Sequence, residues 1–507
     1  SFGHGDFLIP IARNLLTEWR GSDRNGDDTV LDSCIRGVEI DQESFRYVRE
    51  KVRDLLVEFD VHPTSILRIL DEWLSEGDFL IEEFDQAFDL VIGNPPYIRQ
   101  EAIDDALLAT YKSRFATMIG RADIYVAFFE RSLELLRPNG RVAFICSDSW
   151  IKNAYGRALR SKIANEYCLR YYVDMYGLDV FDFQVGTYPS ITIIENTQKD
   201  LAARVATASN ATAEGLARLG ADLAASKPKD DGIHEVRIDK LEGAPWLFSK
   251  RDEVSLIRQL EARLPSLEEA GCVVGIGVAT GLDKVFIGQF SELDVEESRK
   301  LRLATNRDVV SGELRWSGKG VINPYGEDGS LVQLDDFPKL DRYLRPHEQA
   351  LRSRHTAKKS PDSQWFRTID KIRPLLADTP KLLVPDIRGD GTSIAFDEGT
   401  LYPHHNLYFI TSGIWDLQAL RALLLSGIAT LFVGAYSVRI GGGYFRFQAQ
   451  YLRRIRLPHW GSLDSSQRAE MAAAGRENRK LSIEFLADVY SLPESQLRKA
   501  LGGGQVE

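Results

Sequence analysis

Two observations over residues 1–195 predict an α/β fold with a mainly parallel sheet. Short apolar runs alternate with amphipathic stretches, and one apolar run ends in a proline-stiffened loop. Strands are expected over Ile35–Ile40, Leu90–Gly93, Arg141–Cys146 and Ile191–Ile194. Helices are expected over Phe7–Trp19, Glu43–Phe59 and Tyr125–Leu136. The last of these stops at Arg137-Pro138-Asn139-Gly140, because proline cannot continue a helix and glycine turns the chain. Alternation at this spacing covers both faces of the sheet with helices.

The pattern changes after residue 195. Residues 196–235 are rich in Ala, Asn, Thr, Lys and Asp and are expected to be an exposed helix and linker, or an insertion. Residues 236–460 show short strands, glycine turns and an apolar helix near Leu417–Leu425, which predicts a mixed α+β domain. Residues 461–507 are expected to be C-terminal helices, and no internal repeat is found.

A chain of 507 residues exceeds one ordinary domain, and 44% hydrophobic content with 10% aromatics supplies real cores, so wholesale disorder is excluded. The four cysteines (Cys34, Cys146, Cys168, Cys272) form no CxxC pair, so neither a zinc site nor a disulfide framework is indicated. Cys146, inside the apolar run Val142–Cys146, reads as a reduced, packed thiol, and a reducing cytoplasm fits. No apolar run approaches the length of a membrane span, and no basic-then-apolar leader opens the chain. The chain begins at Ser1 inside what reads as a cut motif, so a missing N-terminal part of the first domain is expected.

The net charge of −11 argues against a general polyanion coat. Basic charge is nevertheless concentrated locally: residues 341–390 hold eleven Lys/Arg against seven Asp/Glu, and Arg439, Arg446, Arg453, Arg454 and Arg456 lie in a stretch without an acid. Such a face suffices for phosphate contact, while a solvated loop and helix face is the alternative.

The segment that carries chemistry is Phe88-Asp89-Leu90-Val91-Ile92-Gly93-Asn94-Pro95-Pro96-Tyr97. An apolar strand delivers a rigid loop at its carboxyl end, where ligands bind in open α/β sheets. Two prolines fix φ and remove two N–H donors, so the loop exposes acceptors. An exocyclic aromatic amine is a weak nucleophile because its lone pair is delocalised. The Asn94 side-chain carbonyl and the Pro95 backbone carbonyl can each accept one N–H bond, freeing the lone pair, and Tyr97 can stack on the base.

With these residues the chain resembles the N6-adenine DNA methyltransferases of type II restriction-modification systems, TaqI-like with the gamma-type motif order. The resemblance implies a class I S-adenosylmethionine-dependent, Rossmann-like domain followed by a target-recognition domain. It covers Ser1 to about Ile194 and continues more weakly to about Pro458. By this resemblance Gly3, His4 and Gly5 form the cofactor loop, and Glu39 binds the cofactor's ribose. Ile40 packs on its adenine, and Asp78 accepts from its amino group. Phe79, Phe128, Asn94 and Pro96 complete the pocket. Asp41 has the simpler role of capping a helix. In Val180-Phe181-Asp182-Phe183, Phe181 is the first choice and Phe183 the second for the aromatic stacked opposite Tyr97 on a flipped adenine.

In the second half, Gly275-Ile276-Gly277-Val278-Ala279-Thr280-Gly281 resembles the start of the family's recognition domain and not a nucleotide loop. Lys381–Arg388 and His404–Phe409 follow the same domain's strand pattern. His404 and His405, adjacent on an expected strand, should point to opposite faces, so no metal site is expected. Gly441-Gly442-Gly443-Tyr444 permits close backbone approach to DNA beside the arginines.

The expected partners are double-stranded DNA and a cognate restriction endonuclease acting separately, with no membrane and a monomeric state. Two other readings use the same residues: a DNA-binding specificity module with little catalysis, and an RNA or protein amine methyltransferase. A fused nuclease finds no Asp…Glu-x-Lys set in the sequence.

Overall fold

Leu8, Ala12, Leu16 and Trp19 recur at helical spacing and are all buried, which makes Leu8–Arg20 the first helix, α1. Strand β1 (Gly37–Glu39) follows, then α2 (Gln42–Glu58), started by Asp41, whose carboxylate accepts from the Ser44 N–H at 2.8 Å. Helix α3 (Pro63–Trp73) has proline in its first turn and runs into β2 (Leu74–Glu76), which pairs in parallel with β1. These helices enclose a core containing Val48, Leu56 and Trp73, the Trp73 indole donating to the Leu31 carbonyl at 2.7 Å.

A second sheet has six strands in the order β3-β4-β6-β5-β7-β8. They are β3 (Phe88–Gly93), β4 (Leu136–Ser147), β5 (Cys168–Asp174), β6 (Pro189–Glu195), β7 (Ala203–Thr207) and β8 (His234–Val236). Helices α4 (Asp105–Arg114), α5 (Tyr125–Glu134), α6 (Ser149–Lys152), α7 (Arg157–Glu166) and α8 (Ala213–Ala224) lie between them in sequence. The computed structural model describes residues 2–178, 180, 189–199, 201–229, 232–238, 243–248, 251–358, 361–388, 393–437, 439–440 and 444–501. They divide into two units, Ser1–Phe248 and Ser249–Glu507.

Three expectations are corrected in the first unit. The six-stranded sheet is mixed and not mainly parallel: β3–β4 and β5–β7 are parallel, while β6 runs antiparallel to both β4 and β5, and β8 to β7. The stretch 196–235 holds the exposed helix expected there, α8, but it also supplies the sheet strands β7 and β8, because Ala203, Val205 and Ala206 are small or β-branched residues that the sheet buries. Helix α5 ends at Glu134, and Pro138-Asn139-Gly140 sits within β4 as a kink, Asn139 adopting φ +63°. A side chain at position 140 would meet the Phe88 carbonyl at 2.8 Å, so glycine is required there. β3 is one edge strand of this sheet and β8 the other, with Leu90 and Ile92 of β3 exposed.

The second unit begins with α9 (Arg251–Arg263) and includes the short α10 (Asp283–Phe286). Its strands are β9 (Cys272–Ile276), β10 (Ile287–Gln289), β11 (Lys300–Ala304), β12 (Val309–Val310), β13 (Glu313–Leu314), β14 (Lys319–Ile322), β15 (Lys381–Pro385), β16 (Ile387–Arg388), β17 (Ala395–Asp397), β18 (Tyr402–Pro403), β19 (Leu407–Ser412), β20 (Arg439–Ile440) and β21 (Tyr444–Arg446). They form the sheets β10-β14-β11-β18, β17-β15-β19-β9 and β16-β21-β20, with β12-β13 as a small pair. The apolar helix Leu417–Tyr436 is long and apolar enough to cross a membrane, yet 83% of its most apolar stretch is buried within the protein. Arg421 inside it donates to the carbonyls of Ile394, Gly475 and Gly312, which fixes it as a core element. The helices Ser465–Arg476, Ile483–Tyr490 and Glu494–Leu501 close the unit.

Candidate functional site

Glu39 stands at the carboxyl end of β1, only 4% exposed. One carboxylate oxygen accepts from the Gly3 N–H at 2.8 Å, the other from the Asp41 N–H at 3.0 Å. The glycine loop is therefore pinned against this acid before α1 begins. Gly3 and Gly5 adopt φ +53° and +88°, a region disfavoured for other residues. A side chain at Gly3 would meet nothing within 4 Å, so the loop backbone there faces open space. His4 makes an edge contact with Tyr47 at 6.1 Å, and Ile40 is exposed.

Strand β2 carries the next group. The Gly77 N–H donates to the Glu39 carbonyl at 2.9 Å, so the turn holding Asp78 lies beside the Glu39 backbone. Asp78 accepts from the Leu80 N–H at 2.9 Å and from the Tyr111 hydroxyl at 2.5 Å. Each carboxylate oxygen keeps a second lone pair for a ligand. Phe79 and Phe128 stack at 5.3 Å, and Phe128 is buried on α5. The two aromatics expected in one pocket are thus in contact.

Asn94, Pro95, Pro96 and Tyr97 follow β3 at its carboxyl end. Pro95 is buried, and the Asn94 Oδ1 is buried without a hydrogen-bond partner among the described residues. Such an acceptor costs about 1–3 kcal/mol and is uncommon in a native fold. Tyr97 meets the Tyr125 ring edge-on at 6.4 Å, and burial pushes its phenol well above its ordinary value, so it is a neutral aromatic face at any physiological pH. The Ile124 N–H donates to the Ile98 carbonyl at 3.1 Å, tying the loop to the start of α5.

Three neighbouring groups escaped the sequence reading. Asp148 follows β4, the strand paired with β3, and desolvation pushes its carboxyl up to about 6. The Tyr125 and Tyr155 hydroxyls are hydrogen-bonded at 2.6 Å, and Tyr111 locks Asp78. Ser147-Asp148-Ser149 after a buried strand was a usable signal for the first; the tyrosines carry no local motif. Phe181 and Phe183, proposed to stack on a target base, lie outside the described residues, as does Gly441-Gly442-Gly443.

The arginine run in the second unit is not a bare cationic face. Arg446 pairs with Asp386, Arg453 with Glu268 at 2.7 Å, Arg456 with Glu269 at 3.2 Å and Arg454 with Glu261 at 4.0 Å. Acids distant in sequence answer charges that look unopposed locally. Arg439 lies in β20, and its side chain is not among those described. The expectation that His404 and His405 point apart is also corrected. β18 ends at Pro403, the two residues sit in a bridge and a turn, and their rings lie 4.0 Å apart.

The family model for the Eco57I restriction-modification methylase matches residues 33–181. The chain is 47% identical to the type II methyltransferase M.PaeR7I of Pseudomonas aeruginosa, over 99% of this chain and 88% of that protein. It is 45% identical to the type II methyltransferase M.XhoI of Xanthomonas vasicola, over 98% and 92%. Among solved structures it resembles the type IIL restriction-modification enzyme MmeI in complex with DNA, with TM-score 0.63, 15% identity, 100% coverage of this chain and 70% of that one. That likeness is one of fold. The identities over nearly full length carry the assignment: this chain belongs to the type II methyltransferases of restriction-modification systems.

Proposed function

We propose that the chain methylates the N6 amine of an adenine swung out of duplex DNA, with S-adenosylmethionine as donor. The observation that carries this reading is the Asn94 Oδ1, a buried acceptor at a strand's carboxyl end with no described partner. An N6–H of adenine would satisfy it, and the Pro95 carbonyl would take the second N–H. The two acceptors draw the nitrogen lone pair out of the ring and stabilise the positive charge that develops on it. Tyr97 offers an aromatic face to the base, and Phe181 or Phe183 is assigned the opposite face. One proton leaves N6 for solvent after methylation.

The residues of the first unit fit the donor. Gly3 leaves room for its amino-acid part while Gly5 lets the loop pack against Ile9 and Val48, Glu39 offers lone pairs to ribose hydroxyls, and the stacked Phe79–Phe128 pair forms an apolar wall beside Asp78. When bound, S-adenosylmethionine supplies an electrophilic methyl group on a sulfonium centre. Flipping is required because N6 is inaccessible in the base stack, and aromatic stacking offsets the few kcal/mol of lost pairing. The second unit, with Arg446 and its neighbours, is assigned to DNA reading; a phosphate would then replace a carboxylate partner. We assign the first unit, to Phe248, with β7 and β8 in its sheet, to catalysis, and the second unit, from Ser249 to about residue 460, to recognition.

Incubation of the chain with methyl-labelled S-adenosylmethionine and mixed plasmid DNA, followed by nucleoside analysis, tests the reading. Label in N6-methyladenine at one recurring sequence supports it. Label in cytosine, RNA or protein, or saturable DNA binding without label, overturns it.

A further inference from the structure

In the second unit Asp283, His404 and His405 converge from segments more than one hundred residues apart. One ligand atom from each lies within 4.8 Å of the other two. Three backbone bonds hold the histidines. The His404 N–H donates to the Ala304 carbonyl at 2.8 Å and the His405 N–H to the Val278 carbonyl at 3.0 Å. The Leu407 N–H returns to the His404 carbonyl at 2.8 Å. Position 277 must be glycine, since a side chain there would meet the His404 carbonyl at 2.3 Å. The corner is therefore built tightly, and both imidazoles emerge on one side of it.

Asp283 is likewise oriented. Its Oδ1 accepts from the buried Thr280 hydroxyl at 2.5 Å, leaving Oδ2 to face His404 Nε2 at 3.3 Å. Of the two tautomers of His404, only the one protonated on Nε2 has a donor facing Asp283 Oδ2. The residue is 8% exposed, and Nδ1 has no described partner in either case. With the proton on Nδ1, the Nε2 lone pair would point at a carboxylate oxygen, an arrangement that calls for a cation between them. A separation of 3.3 Å is long for a charge-assisted hydrogen bond. It matches the edge of a tetrahedron with metal–ligand bonds of about 2.0–2.1 Å.

We propose that Asp283, His404 and His405 bind one divalent transition-metal ion of the zinc class. The fourth position is open to water. Two imidazoles and one carboxylate are the ligand types such ions take, and the Thr280 hydroxyl acts as the outer partner that orients the carboxylate. His405 is exposed and can close the remaining distance by side-chain rotation. The ion ties α10 to the corner after β18. The site is independent of the methylation reading, so a chain carrying Asn94→Ala should bind the metal unchanged.

The test uses the whole chain stripped with a chelator. Titration with zinc chloride should show one saturable equivalent, and cobalt(II) should give the intense visible absorption of a tetrahedral N/O site. His405→Ala and Asp283→Asn, both at exposed positions, should each weaken zinc binding at least tenfold while retaining the parent's fold by circular dichroism. Absence of a saturable equivalent overturns the proposal. So does one equivalent whose affinity both substitutions leave unchanged.

Discussion

Replacing Asn94 with alanine should move stability and activity in opposite directions. The Asn94 Oδ1 is buried without a described partner, so the folded chain carries an unmet acceptor costing about 1–3 kcal/mol. Alanine removes that cost and forfeits a few van der Waals contacts of a half-buried side chain, leaving a net gain of about 1 kcal/mol. For a unit the size of Ser1–Phe248, that corresponds to a rise of about 2–4 °C in the midpoint of its thermal transition. The same substitution deletes one of two carbonyls that align the amine. Loss of one preorganised dipole at a reacting centre costs about 2.7–4 kcal/mol, a fall of about 10²–10³ in kcat. Differential scanning calorimetry and labelled-methyl incorporation into duplex DNA measure the two sides. Incorporation within twofold of the parent would end the amine-alignment argument. A drop in the thermal midpoint of several degrees would show that the acceptor is engaged in the free fold, removing the observation on which the argument stands.

Other substitutions probe separate parts of the structure. Glu39→Ala removes the acceptor of the Gly3 and Asp41 N–H groups and should weaken S-adenosylmethionine binding at least tenfold by calorimetry; unchanged affinity would exclude Glu39 from the cofactor pocket. Lys381 and Asp397 form a fully buried pair at 2.7 Å, so Lys381→Met strands a buried carboxylate. It should cost about 3–5 kcal/mol in denaturant unfolding, with Lys381→Met/Asp397→Asn costing less. Burial raises the Asp148 carboxyl from 3.8 to about 6, which means the folded chain keeps this proton after the unfolded chain has lost it. Stability from this group is therefore greatest below about pH 4, falls through about pH 6 and stays low above, by about 3 kcal/mol in total. Asp148→Asn should exceed the parent in unfolding free energy at pH 7.5 and lose that advantage at pH 4; equal curves at both pH values would remove Asp148 from the account.

What the sequence revealed, and what it hid, follows from the range of the interactions concerned. Asn94 to Tyr97 is contiguous and placed after an apolar strand, so the position of the loop at the carboxyl end of β3 could be read locally. The resemblance assigned Glu39 to the cofactor and left Asp41 as a helix cap, and the Asp41–Ser44 bond bears out the capping role. The direction of β6 was not legible. A buried run such as Ile191–Ile194 has the same composition either way, and its antiparallel placement between β4 and β5 depends on how the chain returns to the sheet. Partnerships across the chain were hidden for a related reason. Tyr111 meets Asp78 across 33 residues, and Arg453 meets Glu268 across 185. Counting charge in a window treats Arg453 as unopposed, although its nearest carboxylate comes from another element. The histidines failed differently: the argument that neighbours on a strand diverge is sound, but β18 stops at Pro403, one residue before it would apply. Period-two reasoning therefore holds only inside a strand, and residues at strand ends, where sites concentrate, are the ones for which sequence periodicity says least.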